Sequence, residues 1–275
     1  MALYHAGQNY RAGEKIGWLA RMAWSGFAKL ATYRTLGDLH TAQSGGRSAL
    51  GIAEGIGDRR LVVWIESHLS MVETDLEQDE TAFGLAQSAV DLAQESGEPI
   101  LIGASRMAMS YYHVQRGEWG AARSVFDASE VIQAQRHALL LLSEMWAIYA
   151  EALWGSGDLH EASELVERLL EHTRKRGERH PEALATWLQG KIFASQKIWD
   201  QALRCFEMAL EEFEKLGSQI GLGRAIYQRA RLYRALSQHD QAVQYASQAL
   251  EIFTQAGPSR DAHEVRQFLA GKAEA

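Results

Sequence analysis

A fixed period near forty residues constrains this chain more than any other feature. Counting back from Ala242 in equal steps meets Ala202, Ala162, Ala122, Ala82, Ala42 and Ala2. Glycines keep the same step at Gly257, Gly217, Gly177, Gly97, Gly57 and Gly17, and His137 alone is out of step. Within 221–257, Ala242, Ala246, Ala249, Leu250 and Phe253 recur at helical spacing and mark one apolar face. A helix-sized pattern repeated at a fixed period is an array of units, each burying its face against the next. The expected fold is all-α: a right-handed α-α superhelix of about six 40-residue helix pairs with capping helices at its ends.

The pairs fall at about 18–57, 58–97, 98–137, 138–177, 178–217 and 218–257. Gly37-Asp38, Gly117-Glu118 and Gly157-Asp158 mark breaks directly, glycine ending one helix and the acid starting the next. Gln78-Asp79, Trp199-Asp200 and His239-Asp240 keep the acid without the glycine. Residues 1–17 fall in register with a second helix, and two readings stand. They form a cap, or an orphan second helix of a longer array that would self-associate through its open end. Residues 258–275 read as a lone first helix with Ala262, Val265, Phe268 and Leu269 on one stripe, solvating the end of the array.

The chain of 275 residues is 47% hydrophobic with only three prolines, so long helices run uninterrupted. Its net charge of −7 argues against a nucleic-acid binder. The one cysteine, Cys205, sits beside Phe206 and reads as a small space-filling hydrophobe, which fits a reducing compartment. Residues 1–20 have no continuous apolar core of a signal peptide. The most apolar helix, 138–155, carries Glu144 and Glu151 and reads as buried, not membrane-spanning. A cytoplasmic protein with neither membrane nor nucleic acid as partner is expected.

Little in the chain resembles reaction machinery. Ser44-Gly45-Gly46-Arg47-Ser48 lacks the lysine and the first glycine of a phosphate loop and reads as close helix packing. The ten histidines form no metal-ligand spacing, so no metal and no cofactor is expected. Glu144 and Glu151 share a helical face roughly 10 Å apart, too far to share a proton, and read as solvated or ion-paired. The basic run Arg174-Lys175-Arg176, with Arg179 and His180, ends a second helix and complements its dipole. No catalytic residue is expected.

Gly190 and Phe193 with Ala202, Phe206 and Ala209, and Ala230 and Tyr233 with Ala242, Ala246 and Ala249, resemble tetratricopeptide repeats. The middle units depart from that pattern at Ser129, Leu169, His113 and Leu153, the terminal proline is missing, and the unit exceeds the usual length of about 34. The phrasing is also similar to the arrays of large bacterial signalling ATPases, linked to cyclase, kinase or helix-turn-helix modules.

The resemblance implies that first helices line a concave face. Its positions here are Trp24, Phe27, Trp64, Met71, Met107, Tyr111, Trp154, Trp187, Lys191, Arg224, Tyr227, Arg231 and Arg234, aromatic first and basic last. About half of these are expected in the core, Trp24 and Trp64 foremost. The implied function is a non-catalytic scaffold that binds a protein or peptide in the groove, as the docking or sensing arm of a bacterial signal-transduction or transcription-regulatory protein. The alternative is a small-molecule sensor with a pocket among Trp24, Trp64, Met71 and Tyr111; an enzyme is the remote alternative. Asn9 is the only asparagine and lies off this face, which disfavours the family's peptide-carboxylate clamp.

Overall fold

The computed structural model describes residues 2–126, 142–257 and 259–271. They form fourteen helices and no strand. The chain divides into two compact units, Met1–Leu142 and Ser143–Ala275.

The first unit holds α1 (Ala2–Ile16), α2 (Leu19–Leu36), α3 (Leu39–Gly55), α4 (Arg59–Asp75), α5 (Asp79–Ser96), α6 (Pro99–Gln115) and α7 (Trp119–Phe126). The second holds α8 (Leu142–Gly155), α9 (Leu159–Arg176), α10 (Arg179–Ser195), α11 (Trp199–Leu216), α12 (Gln219–Ala235), α13 (His239–Ala256) and α14 (Arg260–Leu269). Even-numbered helices are the first helices of their pairs. In the first unit α4 packs on α2, α3, α5 and α6; in the second, α12 packs on α10, α11 and α13. This is the nearest-neighbour stacking that a repeat of this period requires.

The alanine ladder lies in the contacts between helices. Ala42, Ala82, Ala122, Ala162 and Ala202 are fully buried and Ala242 nearly so. Glycine is used where even a methyl would collide: a Cβ on Gly26 would stand 2.6 Å from that of Ala49, and one on Gly190 2.6 Å from the Phe206 ring. Gly46, in the serine-glycine run of α3, packs under Leu30 and Leu69 as close packing predicts. Cys205 is buried, and burial pushes its thiol pKa up.

Every described break within a pair bends the same way. Gly37, Gly117 and Gly157 are left-handed, and so, at the same register, are Glu77, Lys197 and Ser237. The following amide closes the turn onto a carbonyl five residues back, as in Gln78 to Glu73, Ile198 to Phe193 and Gln238 to Tyr233. Asp38 and Asp58 then cap the next helix by accepting from the amides of Thr41 and Leu61. Pro99 opens α6 at its first position, and Pro181 lies in the first turn of α10, where proline removes no helical bond. His137, Ser129 and Pro258 lie outside the described residues. So does the start of the apolar helix expected at 138–155.

Residues 2–16 are helical and pack on α2. Ala6 is buried there, Leu3 and Tyr10 are half-buried, and Tyr4 and Ile16 are exposed. At the other end, Ala262, Val265 and Phe268 of α14 are buried against the second unit.

Candidate functional site

In the first unit, α2 and α4 bring together an aromatic platform. Phe27 meets Trp24 edge-on at 5.9 Å, His68 edge-on at 5.0 Å and Trp64 at 5.8 Å between centroids. Trp24, which could have been either a groove position or core, is 45% exposed. It stands near the N-terminal start of α2, where no preceding first helix packs over it among the described residues. Phe27 and Trp64 are half-buried.

The remaining first-unit positions do not face a partner. Met71 and Met107 have no exposed surface, and Tyr111 is buried with its hydroxyl donating to Asp75 at 2.6 Å. The reason is that α4 is wrapped by four helices, so nearly all of it from Leu61 to Asp75 is buried, whatever the polarity. Its polar groups bond inward: Ser70 donates to the Ala82 carbonyl, and Glu73 accepts from Gln43 and Arg47, both at 2.7 Å. Glu66 accepts from Ser88 at 2.9 Å while its other oxygen, Oε2, is buried with no hydrogen-bond partner. Burial, above all, pushes its pKa up to about 7.

In the second unit the register sets Glu151, Lys191 and Arg231 at one position of α8, α10 and α12. Lys191 is buried and ion-paired to Glu151 at 2.6 Å. Its ammonium also lies 3.7 Å from the Trp154 ring centroid and 4.5 Å from that of Trp187, an arrangement that stabilises the cation. Burial lowers the Lys191 pKa and Glu151 opposes it. Arg231 faces Glu264 of α14 at 3.9 Å. Partial burial and then the Asp261 carboxylate raise the pKa of Glu264.

Beside this column lies a cavity of about 210 Å³. Trp154, Lys191, Trp199, Gln228, Arg231 and Leu232 form most of its wall. The Trp154 indole N–H donates to Ser195 Oγ at 2.9 Å, which fixes one wall. Three expected positions, Trp154, Lys191 and Arg231, therefore converge, while Trp199, Gln228 and Leu232 were not foreseen. Glu151 and Lys191 are spaced by one period with opposite charge, a signal present in the sequence.

The basic character expected of the last two pairs is corrected by the structure. Arg224 makes a bidentate pair with Asp261 (Nη2 to Oδ2 2.9 Å), and Arg234 donates to the Phe268 carbonyl at 2.6 Å with its guanidinium over the Phe268 ring. Tyr227 is buried edge-on to Phe268, and Trp187 is also buried. Arg224, Tyr227 and Arg234 are thus engaged with α14, so they do not present a basic surface. The run Arg174-Lys175-Arg176 and Arg179 is likewise paired, with Glu182, Glu171, Glu178 and Glu212.

Among the described residues no three His, Cys, Asp or Glu side chains are grouped to hold a metal ion, and no helix is long and apolar enough to cross a membrane.

The stacked helix pairs, with small residues at their crossings, define a helical-repeat protein of the all-α class. Residues 182–255 match the tetratricopeptide repeat family, so this stretch of the second unit carries tetratricopeptide-type repeats. Among solved structures, a Rap protein complexed with Competence and Sporulation Factor matches at 15% identity and a TM-score of 0.67, over 98% of this chain and 78% of its own. The apo form of RapI matches at 12% identity and a TM-score of 0.66, over 98% of this chain and all of its own. At such identities the likeness is one of fold, a tetratricopeptide-like helical solenoid. No curated protein matches the chain.

Proposed function

We propose that this chain is a non-catalytic scaffold that binds a protein or peptide segment on its first helices, as the docking or sensing arm of a bacterial cytoplasmic regulator. The observation that carries this reading is the cavity of the second unit, walled by first helices α8, α10 and α12, with the turn residue Trp199 of α11 at its edge. The aromatic platform of the first unit adds a second surface of the same origin, with Trp24 as its exposed member. Aromatic side chains on a rigid element are the usual anchors of protein contacts. A Rap protein of this fold has been solved with a bound factor, which is consistent with a binding role here. Nucleic acid and membrane are not partners in this reading.

The test is selection of a displayed random peptide library on the full chain. Enriched peptides should bind Trp24→Ala at least about tenfold more weakly, a loss of roughly 1.4 kcal/mol or more. Should the enriched peptides bind that variant and the cavity variants below as they bind the parent, the first helices are not the working surface. The outer faces near Phe83, Met208 and Val243, which are exposed, would then be the place to look.

A further inference from the structure

We propose that the cavity between α8, α10, α11 and α12 is a socket for one neutral aromatic side chain of a bound peptide. The proposal rests on the scaffold reading above and specifies what the second unit grips. The first argument is size. Sites that enclose a whole ligand measure about 300–1,000 Å³. At about 210 Å³ this cavity falls below that range, so it fits a side chain better than a molecule. The second is the wall. Trp154 and Trp199 supply aromatic surface, and Leu232 and Ala235 supply aliphatic surface. Ring-to-ring contact adds to the gain from burial alone, so a planar group is favoured over an aliphatic one of equal size.

The third argument is charge. Both cations at the cavity already face carboxylates, Lys191 with Glu151 at 2.6 Å and Arg231 with Glu264 at 3.9 Å. The set is balanced, two positive against two negative. A charged occupant would meet cations that carboxylates already neutralise, and so would gain little net attraction for the hydration it gives up. A neutral occupant leaves both intact. Gln228 brings to the wall an amide with donor and acceptor together, suited to a phenolic hydroxyl or to the main-chain amide beside the anchor.

The test uses blocked amino acids as probes, followed by ligand-observed NMR on the full chain. N-acetyltyrosinamide is compared with N-acetylleucinamide and with N-acetyltyrosine, which carries a free carboxylate. The variant Ala235→Trp fills the socket from an exposed position at the end of α12, so the core is not disturbed. Tyrosinamide should bind saturably in the millimolar range, about fivefold tighter than either comparison probe. Ala235→Trp should weaken it by about tenfold or more, and Gln228→Ala by several fold. Absence of saturable binding to the parent, equal binding to Ala235→Trp, or tightest binding of the carboxylate form would each overturn the socket. Library peptides that need Trp24 yet ignore Ala235→Trp would remove the socket and keep the scaffold. Tyrosinamide binding without any selected peptide would do the reverse.

Discussion

Lys191 and Glu151 lie one repeat apart in sequence and meet at 2.6 Å, on successive first helices of the second unit. Both are largely buried, at 5% and 15% side-chain exposure, so the pair is scarcely screened by solvent. Removing one member leaves the other uncompensated. Lys191→Met or Glu151→Met alone should destabilise the protein by about 3–5 kcal/mol. The double variant should recover a large part of that loss, because no buried charge remains. A denaturant double-mutant cycle reads the coupling, and additive single effects would mean that the pair is not a unit.

Glu66 should make the first unit sensitive to pH. Its folded pKa, about 7, lies above the ordinary 4.5, so the fold favours the protonated form. The contribution is therefore complete below about pH 4.5 and is lost as pH rises through about 7. Between about pH 5.5 and pH 8.5 the parent should lose about 2 kcal/mol relative to Glu66→Gln, which keeps a side chain able to bond Ser88 and does not ionise. Parallel denaturation curves at the two pH values measure this, and an unchanged difference between parent and variant would refute it.

The three non-glycine residues in left-handed turns should be improvable. Lys197, at φ +62°, occupies the conformation that glycine takes at the equivalent Gly117 and Gly157. Lys197→Gly relieves a steric penalty of about 1–2 kcal/mol and adds chain entropy worth about 0.5–1 kcal/mol to the unfolded state. A net gain of up to about 1 kcal/mol is expected, visible as a higher midpoint in urea. The opposite holds at Gly190. There a methyl would stand 2.6 Å from the embedded Phe206 ring, and Gly190→Ala should cost about 1–3 kcal/mol.

Arg224 should govern the attachment of α14. Its bidentate pair with Asp261 links that helix to the rest of the second unit. In Arg224→Ala, amide exchange across 260–269 should accelerate by about tenfold or more while α10 and α11 keep their protection. Uniform loss of protection through the whole unit would show that α14 and the pairs unfold together.

The helix pairs were legible because one residue type serves one purpose throughout. Ala42 to Ala242 are small for the same contact six times, and the turn geometry at Glu77 or Lys197 follows its glycine counterparts. The surface was less legible for a related reason. Periodicity marks which face of a first helix points where, but not how many neighbours wrap it. Met71 and Met107 sit on the expected face and are still buried, since α4 and α6 pack against one another as well as against their second helices. The charges misled because each was read alone: Arg224, Arg231 and Arg234 find their partners on α14, which had been assigned only a solvating role.

The Glu151–Lys191–Arg231 column limits how the array can be edited. Excising residues 178–217, one whole pair, would set Glu151 opposite Arg231, again a match of opposite charge. Duplicating the same pair would set Lys191 opposite a copy of itself across a buried contact, with one carboxylate for two ammonium groups. Loss of a unit would leave Arg231 alone between Glu151 and Glu264, whereas gain of one would add an ammonium group without a carboxylate, so either edit demands a compensating substitution. The order of charges thus gives each helix pair of the second unit an address within the array.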